Sequence, residues 1–187
     1  MTDRPSPDTS PTDAHPIPTT DSTASGAPVL VHLNVVRPVA GFDVSDPNPS
    51  YFFRQFPRVA AQARTYEGMR WHTHGARMPD GRYLTLPEFT ALRTDSFEAN
   101  PHIMTMAGWR DVAALHAFAY RTDLHRAGVK TLRDWVDRSE GPTLVMWWDK
   151  AGRRVGLEEA WDKLCRLRRE GPSQGAFTLQ QRFEPCI

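Results

Sequence analysis

The strongest candidate for acid–base chemistry is His125, which follows Arg121 by four residues. Residues four apart share one face of a continuous helix. A histidine beside a pocket can act as a general base or an axial ligand, and an arginine can fix an anionic substrate. Thr122-Asp123 can break the helix between them, and both residues would then be caps at helix ends. The spacing therefore predicts either a polar site or a polar junction at 121–125.

A second polar pair, His32 and Asn34, lies within the run Val29–Val36. Side chains two apart on a strand point to the same face. The intervening Val31, Leu33 and Val35 point to the other face, which is the better candidate for the core. The polar pair is predicted to line a cavity or to lie at the contact between two subunits.

His72 and His74 form a third pair on one side of a predicted strand. Two imidazoles can converge on one metal ion, but a metal site needs further ligands. No Cys-x-x-Cys or Glu-x-x-His motif supplies them, so we interpret both histidines as structural or surface residues and predict no metal site.

Tryptophan is frequent, and Trp71 and Trp147 are the two that we expect to form walls of an aromatic pocket. Buried tryptophans more often serve as core anchors because each covers a large area. Trp147 and Trp148 point to opposite sides of their strand, so one belongs to the helix-covered core. The other would meet a partner subunit or a ligand.

The elements that must position these residues follow from periodicity and from turn and capping signals. Strands are predicted at 29–36, 68–74, 101–107, 143–148 and 176–180. Helices are predicted at 49–65, at 85–92, after the Asp111 cap with Val112, Leu115, Phe118 and Ala119 on one face, from 123 onward and at 157–169. Thr85 and Glu88 fit a capping box, Asp111 fits an N-cap, and Pro57 is expected to kink or divide the first helix.

This order of elements is typical of an α+β, ferredoxin-like split βαβ fold with an extra C-terminal helix and strand. The sheet is expected to be antiparallel, with helices on one face. The other face would be solvated or covered by a partner.

Residues 1–28 are rich in Ser, Thr and Pro and poor in large apolar side chains, so they are predicted to be a disordered tail. Residues 29–187 form the predicted domain. Within it, 75–100 is interpreted as an insertion that can act as a lid.

Composition limits the possible partners and location. The net charge of +1 argues against a nucleic-acid-binding protein, and no apolar run is long enough to span a membrane. Two cysteines cannot build a disulfide framework, and no secretory signal opens the chain, so a cytoplasmic location is expected.

Several sequence islands resemble one uncharacterised bacterial family of the dimeric α+β-barrel superfamily, over about residues 29–183. They are His32-Leu-Asn34, Gly68 with Trp71, Trp109, Phe118-Ala-Tyr-Arg121 with His125, Trp135, Gly141–Trp148, Leu157–Ala160, Leu167–Pro172 and Ala176–Thr178. The combination is specific, although no single motif is.

The resemblance implies a homodimer with a small-molecule cavity between sheet and helices. The wider superfamily includes cofactor-free monooxygenases of antibiotic biosynthesis, muconolactone isomerase and haem proteins such as chlorite dismutase. Fold alone does not choose among these activities.

The leading hypothesis is a cofactor-independent monooxygenase or isomerase for a hydrophobic or aromatic metabolite. His125 would be the general base and Arg121 would stabilise an anion or enolate. His32 and Asn34 would be polar contacts, and Trp71 and Trp147 would be walls. One alternative is a haem enzyme with His125 as axial ligand. Another is a non-catalytic, dimeric binding or accessory protein.

Overall fold

The computed structural model describes residues 26–43, 45–91 and 100–186. Residues 1–25 of the predicted tail and residues 92–99 of the predicted lid lie outside the described residues. The described strands are β1 (Val29–Val36), β2 (Met69–Arg77), β3 (Tyr83–Thr85), β4 (His102–Trp109) and β5 (Leu144–Asp149). The described helices are α1 (Pro47–Arg64), α2 (Leu86–Ala91), α3 (Val112–Arg121), α4 (Asp123–Thr131) and α5 (Leu157–Glu170).

All strands pair antiparallel in one sheet of order β3-β2-β4-β1-β5. β1 and β2 flank β4 and are therefore parallel to each other, with α1 as their crossover. Helices α3 and α4 connect β4 to β5, which forms the edge of the sheet opposite to β3. This is the ferredoxin-like arrangement that the order of elements predicts, with β3 added beyond β2.

Local signals set the ends of the helices. The carboxylate of Glu88 accepts hydrogen bonds from the backbone N–H and the hydroxyl of Thr85, at 2.7 and 2.8 Å, so the Glu88 half of the predicted capping box is present. The Asp111 carboxylate accepts from the Ala114 N–H at 2.7 Å, so that N-cap is confirmed as well. Helix α1 continues through Pro57 as one element.

Helices cover both faces of the sheet, which corrects the expectation of helices on one face. Leu30, His32 and Asn34 point toward α1, α3 and α4, and we call this side the cavity face. Val31, Leu33 and Val35 point the other way, to the α5 face. Here α5 covers the apolar strand side chains with Ala160, Leu164 and Leu167. The chain itself thus covers the face that was expected to be solvated or to meet a partner.

The predicted C-terminal strand at 176–180 is reduced to one bridge. The backbone N–H and C=O groups of Phe177 pair with those of Met146 on β5, both at 2.8 Å. The chain then turns, because the N–H of Thr178 bonds to the carbonyl of Gln181. That turn ends the strand pairing and brings Thr178, Leu179 and Gln180 to the cavity.

Gly75 is required where β2, β3 and α5 meet. A Cβ at this position would overlap the backbone oxygen of Leu84 and the side chain of Leu157. We expect Gly75→Ala to lower the free energy of unfolding by about 1–3 kcal/mol, because the backbone of β3 cannot move aside without losing pairing. Urea denaturation measures the loss. Gly175→Ala, whose Cβ would have no neighbour within 4 Å, is the control. Equal losses in the two variants would contradict the assignment.

Candidate functional site

The candidate site is a cavity of about 590 Å³ between the cavity face and helices α1, α3 and α4. Its walls are mainly apolar and aromatic, and they include Phe52, Phe56, Val59, Met69, Ala107, Trp109, Leu115, Phe118, Leu132 and Leu144. Polar side chains lie among them, including His32, Asn34, Gln55, His72, His74, Thr105, His125 and Arg138. An apolar enclosure with a few placed polar groups is the usual form of a small-molecule site.

His125 lies in the first turn of α4 with one ring nitrogen already occupied. Its Nδ1 is 2.9 Å from the carbonyl oxygen of Ala119. A carbonyl only accepts hydrogen bonds, so Nδ1 carries the proton and Nε2 carries the lone pair. Burial lowers the pKa of His125, and the Ala119 hydrogen bond acts in the opposite direction more weakly. The ring is therefore neutral near pH 7, with a basic Nε2.

His32, in the middle of β1, has the opposite tautomer. The indole N–H of Trp109 donates to His32 Nδ1 at 2.9 Å. Because indole can only donate, Nδ1 is the acceptor and the proton is on Nε2. Burial lowers the pKa of His32 to about 3, and the positive charges that His125 and His74 would carry lower it further. His32 therefore stays neutral and presents an Nε2–H.

The Nε2 atoms of these two rings have no hydrogen-bond partner among the described residues. One is an acceptor on α4 and the other is a donor on β1, and both rings line the same cavity. A base that can take a proton and a donor that can bind an oxygen are the two groups that a proton abstraction needs. The arrangement can therefore form and stabilise an enolate or a phenolate.

Three further polar side chains lie side by side across the sheet, two residues beyond His32 along β1. His74 on β2 is paired with Thr105 on β4, which is paired with Asn34 on β1. We call these residues the polar row. Both ring nitrogens of His74 are buried without a hydrogen-bond partner. Burial lowers the pKa of His74 to about 4, with further lowering from His72 and Arg64.

His72 belongs to the cavity wall, and one of its ring nitrogens is taken by a hydrogen bond. Arg64 at the end of α1 donates from Nε to His72 Nε2 at 3.1 Å, which places the His72 proton on Nδ1. Burial and the Arg64 charge lower the pKa of His72. In the described part of the chain no three His, Cys, Asp or Glu residues are grouped to hold a metal ion.

Of the residues predicted for the site, the structure brings His32, Asn34 and His125 together around the cavity. It places Arg121 elsewhere, which corrects its predicted role. The Thr122 hydroxyl donates to the Phe118 carbonyl at 2.6 Å, and its extended backbone ends α3 before α4 begins. Arg121 is therefore exposed beside a shallow surface depression with His116 and Arg182.

Trp71 and Trp147 do not form walls of the cavity, because strand alternation puts both on the α5 face. Trp147 is 1% exposed and packs in the core beneath α5. Trp71 packs at the margin of the same core, directly over Gly108, where any Cβ would overlap its indole. The neighbouring Trp148 donates to the Phe183 carbonyl at 2.7 Å on the opposite side of β5.

Sequence reasoning missed three contributors to the site. Trp109 fixes the tautomer of His32 across 77 positions of sequence, and no local pattern links the two. His74 was interpreted as structural, yet it belongs to the cavity wall. Arg138 comes from the loop before β5, a region without periodicity. The one signal in the sequence was spacing: His32 and Asn34 are two residues apart on one strand, and His72 and His74 are two residues apart on another.

No described helix combines the length and the apolar composition that crossing a bilayer requires. Both cysteines are free, Cys165 half-buried and Cys186 exposed.

Residues 29–186 match the model of a family described as "Domain of unknown function (DUF3291)". No curated protein sequence matches the chain. Among solved structures the chain is similar to SnoaB, described as a cofactor-independent oxygenase from Streptomyces nogalater. The similarity covers 70% of this chain and 98% of that chain, at 16% sequence identity and a TM-score of 0.37. A likeness at that level carries no argument about activity.

The buried neutral His32 should make the fold sensitive to acid. Its pKa is about 3 in the folded chain and about 6.5 when exposed, so below pH 6.5 the unfolded chain binds more protons. The free energy of unfolding therefore falls as the pH falls from 6.5 toward 3. His32 alone contributes about 1.4 kcal/mol of this loss per pH unit. In His32→Asn the amide oxygen can still accept from Trp109 but does not titrate.

Urea denaturation at pH 7, 6 and 5 measures this difference. We expect the free energy of unfolding of His32→Asn to fall less steeply with acidification than that of the wild type. Parallel pH dependences in the two proteins would show that His32 is not held neutral.

Proposed function

Because the chain belongs to DUF3291, a family whose description assigns no reaction, we propose its function from the site: a cofactor-independent enzyme that removes a proton from a small hydrophobic or aromatic molecule. The observation that carries this proposal is the pair of opposite tautomers, with a free acceptor on His125 and a free donor on His32. Isomerisation and monooxygenation are the two outcomes that such a proton abstraction opens.

In the first step His125 Nε2 takes a proton from a C–H or O–H group conjugated to a carbonyl. The electron pair of that bond moves onto the carbonyl oxygen, which His32 Nε2–H then stabilises. The imidazolium that forms on His125 keeps its Nδ1–H bonded to the Ala119 carbonyl, which holds the ring in place. Burial keeps His125 unprotonated beforehand by lowering its pKa.

The fate of the anion decides the reaction. Return of the proton from His125 to a different carbon completes an isomerisation. Alternatively, the anion reduces dioxygen, one oxygen atom enters the substrate and the other leaves as water, so that a CH₂ group becomes C=O. Both outcomes balance without a redox cofactor.

The aromatic walls suit this chemistry in two ways. Phe118 contacts the His125 ring, with centroids 5.1 Å apart, and Trp109 is 1% exposed. Walls of this kind bind flat apolar molecules through buried area. They also exclude water, which strengthens the hydrogen bond from His32 to a developing oxyanion.

Haem is the second candidate, because His125 also fits an axial ligand. Its Nε2 is free and its Nδ1 is fixed by a carbonyl, as is common for histidines that bind metals. A haem held there would supply redox chemistry. We favour the cofactor-free reaction because the free acceptor on His125 and the free donor on His32 suffice for a proton transfer without a bound group. Titration with haemin, followed by the Soret band, separates the candidates.

Two further predictions stay open to measurement. A non-catalytic binding protein would hold its ligand tightly without turnover, so any proton exchange that depends on His125 counts against it.

A homodimer remains predicted, although α5 already covers one face of the sheet. Sedimentation equilibrium gives the mass in solution.

The proposal is tested with 2-tetralone, an aromatic ketone with acidic C–H groups, in D₂O. We expect the protein to accelerate deuterium incorporation. His125→Asn keeps a donor for Ala119 but has no base, and it should lower the rate roughly 10²–10⁴-fold. His32→Asn should lower it roughly 10²–10³-fold through loss of the Nε2–H donor. Mass spectrometry follows the exchange.

His116→Asn is the matched control, because His116 lies on α3 outside the cavity lining. It should exchange 2-tetralone at the wild-type rate. Absence of acceleration by the wild type, or equal rates for wild type and His125→Asn, would contradict the proposed function.

A further inference from the structure

The cavity carries basic groups without acidic ones. The side chains that can bear a positive charge are four imidazoles and the guanidinium of Arg138. Within the described lining there is no Asp or Glu to balance them. Arg64 adds a further positive charge behind His72. No described carboxylate of the lining opposes the guanidinium of Arg138 or an imidazole that takes up a proton, so the site favours an anionic ligand.

The polar row supplies the hydrogen bonds that such an anion needs. The amide of Asn34 and the hydroxyl of Thr105 line the cavity and have no hydrogen-bond partner among the described residues. His74 continues the row with two ring nitrogens that also lack a partner. Asn34 and Thr105 thus offer hydrogen bonds to a ligand, and the two buried nitrogens of His74 are costly unless a ligand or water bonds to them.

Basic groups face His74 from three sides. His72 lies on its own strand with ring centroids 5.0 Å apart, Arg64 reaches in from α1, and His32 lies across the sheet on β1. The facing residue of β4, Thr105, and the Phe56 ring of α1 are uncharged. No described lining residue carries a carboxylate, so the carboxylate of a ligand would place a negative charge beside a group that has none in the described lining.

We propose that the substrate is an aromatic carboxylate whose anionic group binds the polar row, and that its binding makes His74 take up a proton from the solvent. This inference rests on the proposed function, because it names the substrate class of the same site. The polar row is one strand period, about 7 Å, from His32. The reacting carbon would therefore lie about one aromatic ring away from the carboxylate.

The direction of the pH effect follows from the unliganded state. The pKa of His74 is lowered to about 4 by burial, His72 and Arg64, so the ring is neutral at pH 6 to 8. An anion against the ring favours the charged form and raises this pKa. Binding that takes up a proton becomes tighter as pH falls.

Isothermal titration calorimetry with 2-naphthoate tests the proposal, and its neutral isostere 2-naphthamide is the matched control. We expect 2-naphthoate to bind at least about tenfold more tightly at pH 6.5, as charge-assisted hydrogen bonds are stronger than neutral ones. Its affinity should rise between pH 8 and pH 6. Titrations in phosphate and in imidazole buffer should show proton uptake. Equal affinities of the two ligands, or no proton uptake, would overturn the proposal.

Two variants assign the effect to the polar row. His74→Gln keeps a donor but cannot be protonated, so it should abolish most of the proton uptake and weaken 2-naphthoate several-fold. Thr105→Val, which is nearly isosteric, should weaken 2-naphthoate more than 2-naphthamide, because the lost hydrogen bond is charge-assisted only for the carboxylate. His116→Gln, outside the cavity, should match the wild type. Unchanged proton uptake in a folded His74→Gln would refute the role of His74.

The same experiments separate this inference from the proposed function. His125→Asn should still bind 2-naphthoate although it loses deuterium exchange. Exchange that survives in His125→Asn removes the proposed base and leaves carboxylate binding intact. Exchange that depends on His125, together with equal binding of naphthoate and naphthamide, removes the carboxylate subsite alone.

Discussion

The hydrogen bond from the Trp109 indole to His32 Nδ1 is the interaction on which the site depends. Trp109 follows Ala107 by two residues on β4, and Ala107 is the register partner of His32. The indole is therefore the diagonal neighbour of the imidazole on one face of the sheet, within reach of a long aromatic side chain. Because indole only donates, this contact decides that His32 offers a proton rather than a lone pair to the cavity.

Strand register and the break between α3 and α4 complete the geometry. Period-two alternation gathers His32, Asn34, His74 and Thr105 on one face and leaves the other face apolar for α5. The break after α3 starts a new helix, so that the His125 ring can bond back to the Ala119 carbonyl. The sheet thus supplies donors, and the helices supply one base in a cavity without described carboxylates.

Features that depend on neighbouring residues were predictable from the sequence, and those that depend on distant contacts were not. The capping box at Thr85 and the shared face of His32 and Asn34 follow from local chemistry and strand period. Trp147 was misplaced because its face became core only through the packing of α5. Arg121 was misplaced because helical spacing assumes continuity, and the break at Thr122 removes it. No sequence rule linked Trp109 to His32.

The proposed chemistry requires that the imidazoles of His32 and His125 are neutral and have opposite tautomers. Long-range ¹⁵N–¹H correlation spectra of ¹⁵N-histidine-labelled protein at pH 7 test it directly, with His32→Asn and His125→Asn to assign the signals. We expect the proton of His32 on Nε2 and the proton of His125 on Nδ1. The same tautomer on both rings, or an imidazolium at either one, would contradict it.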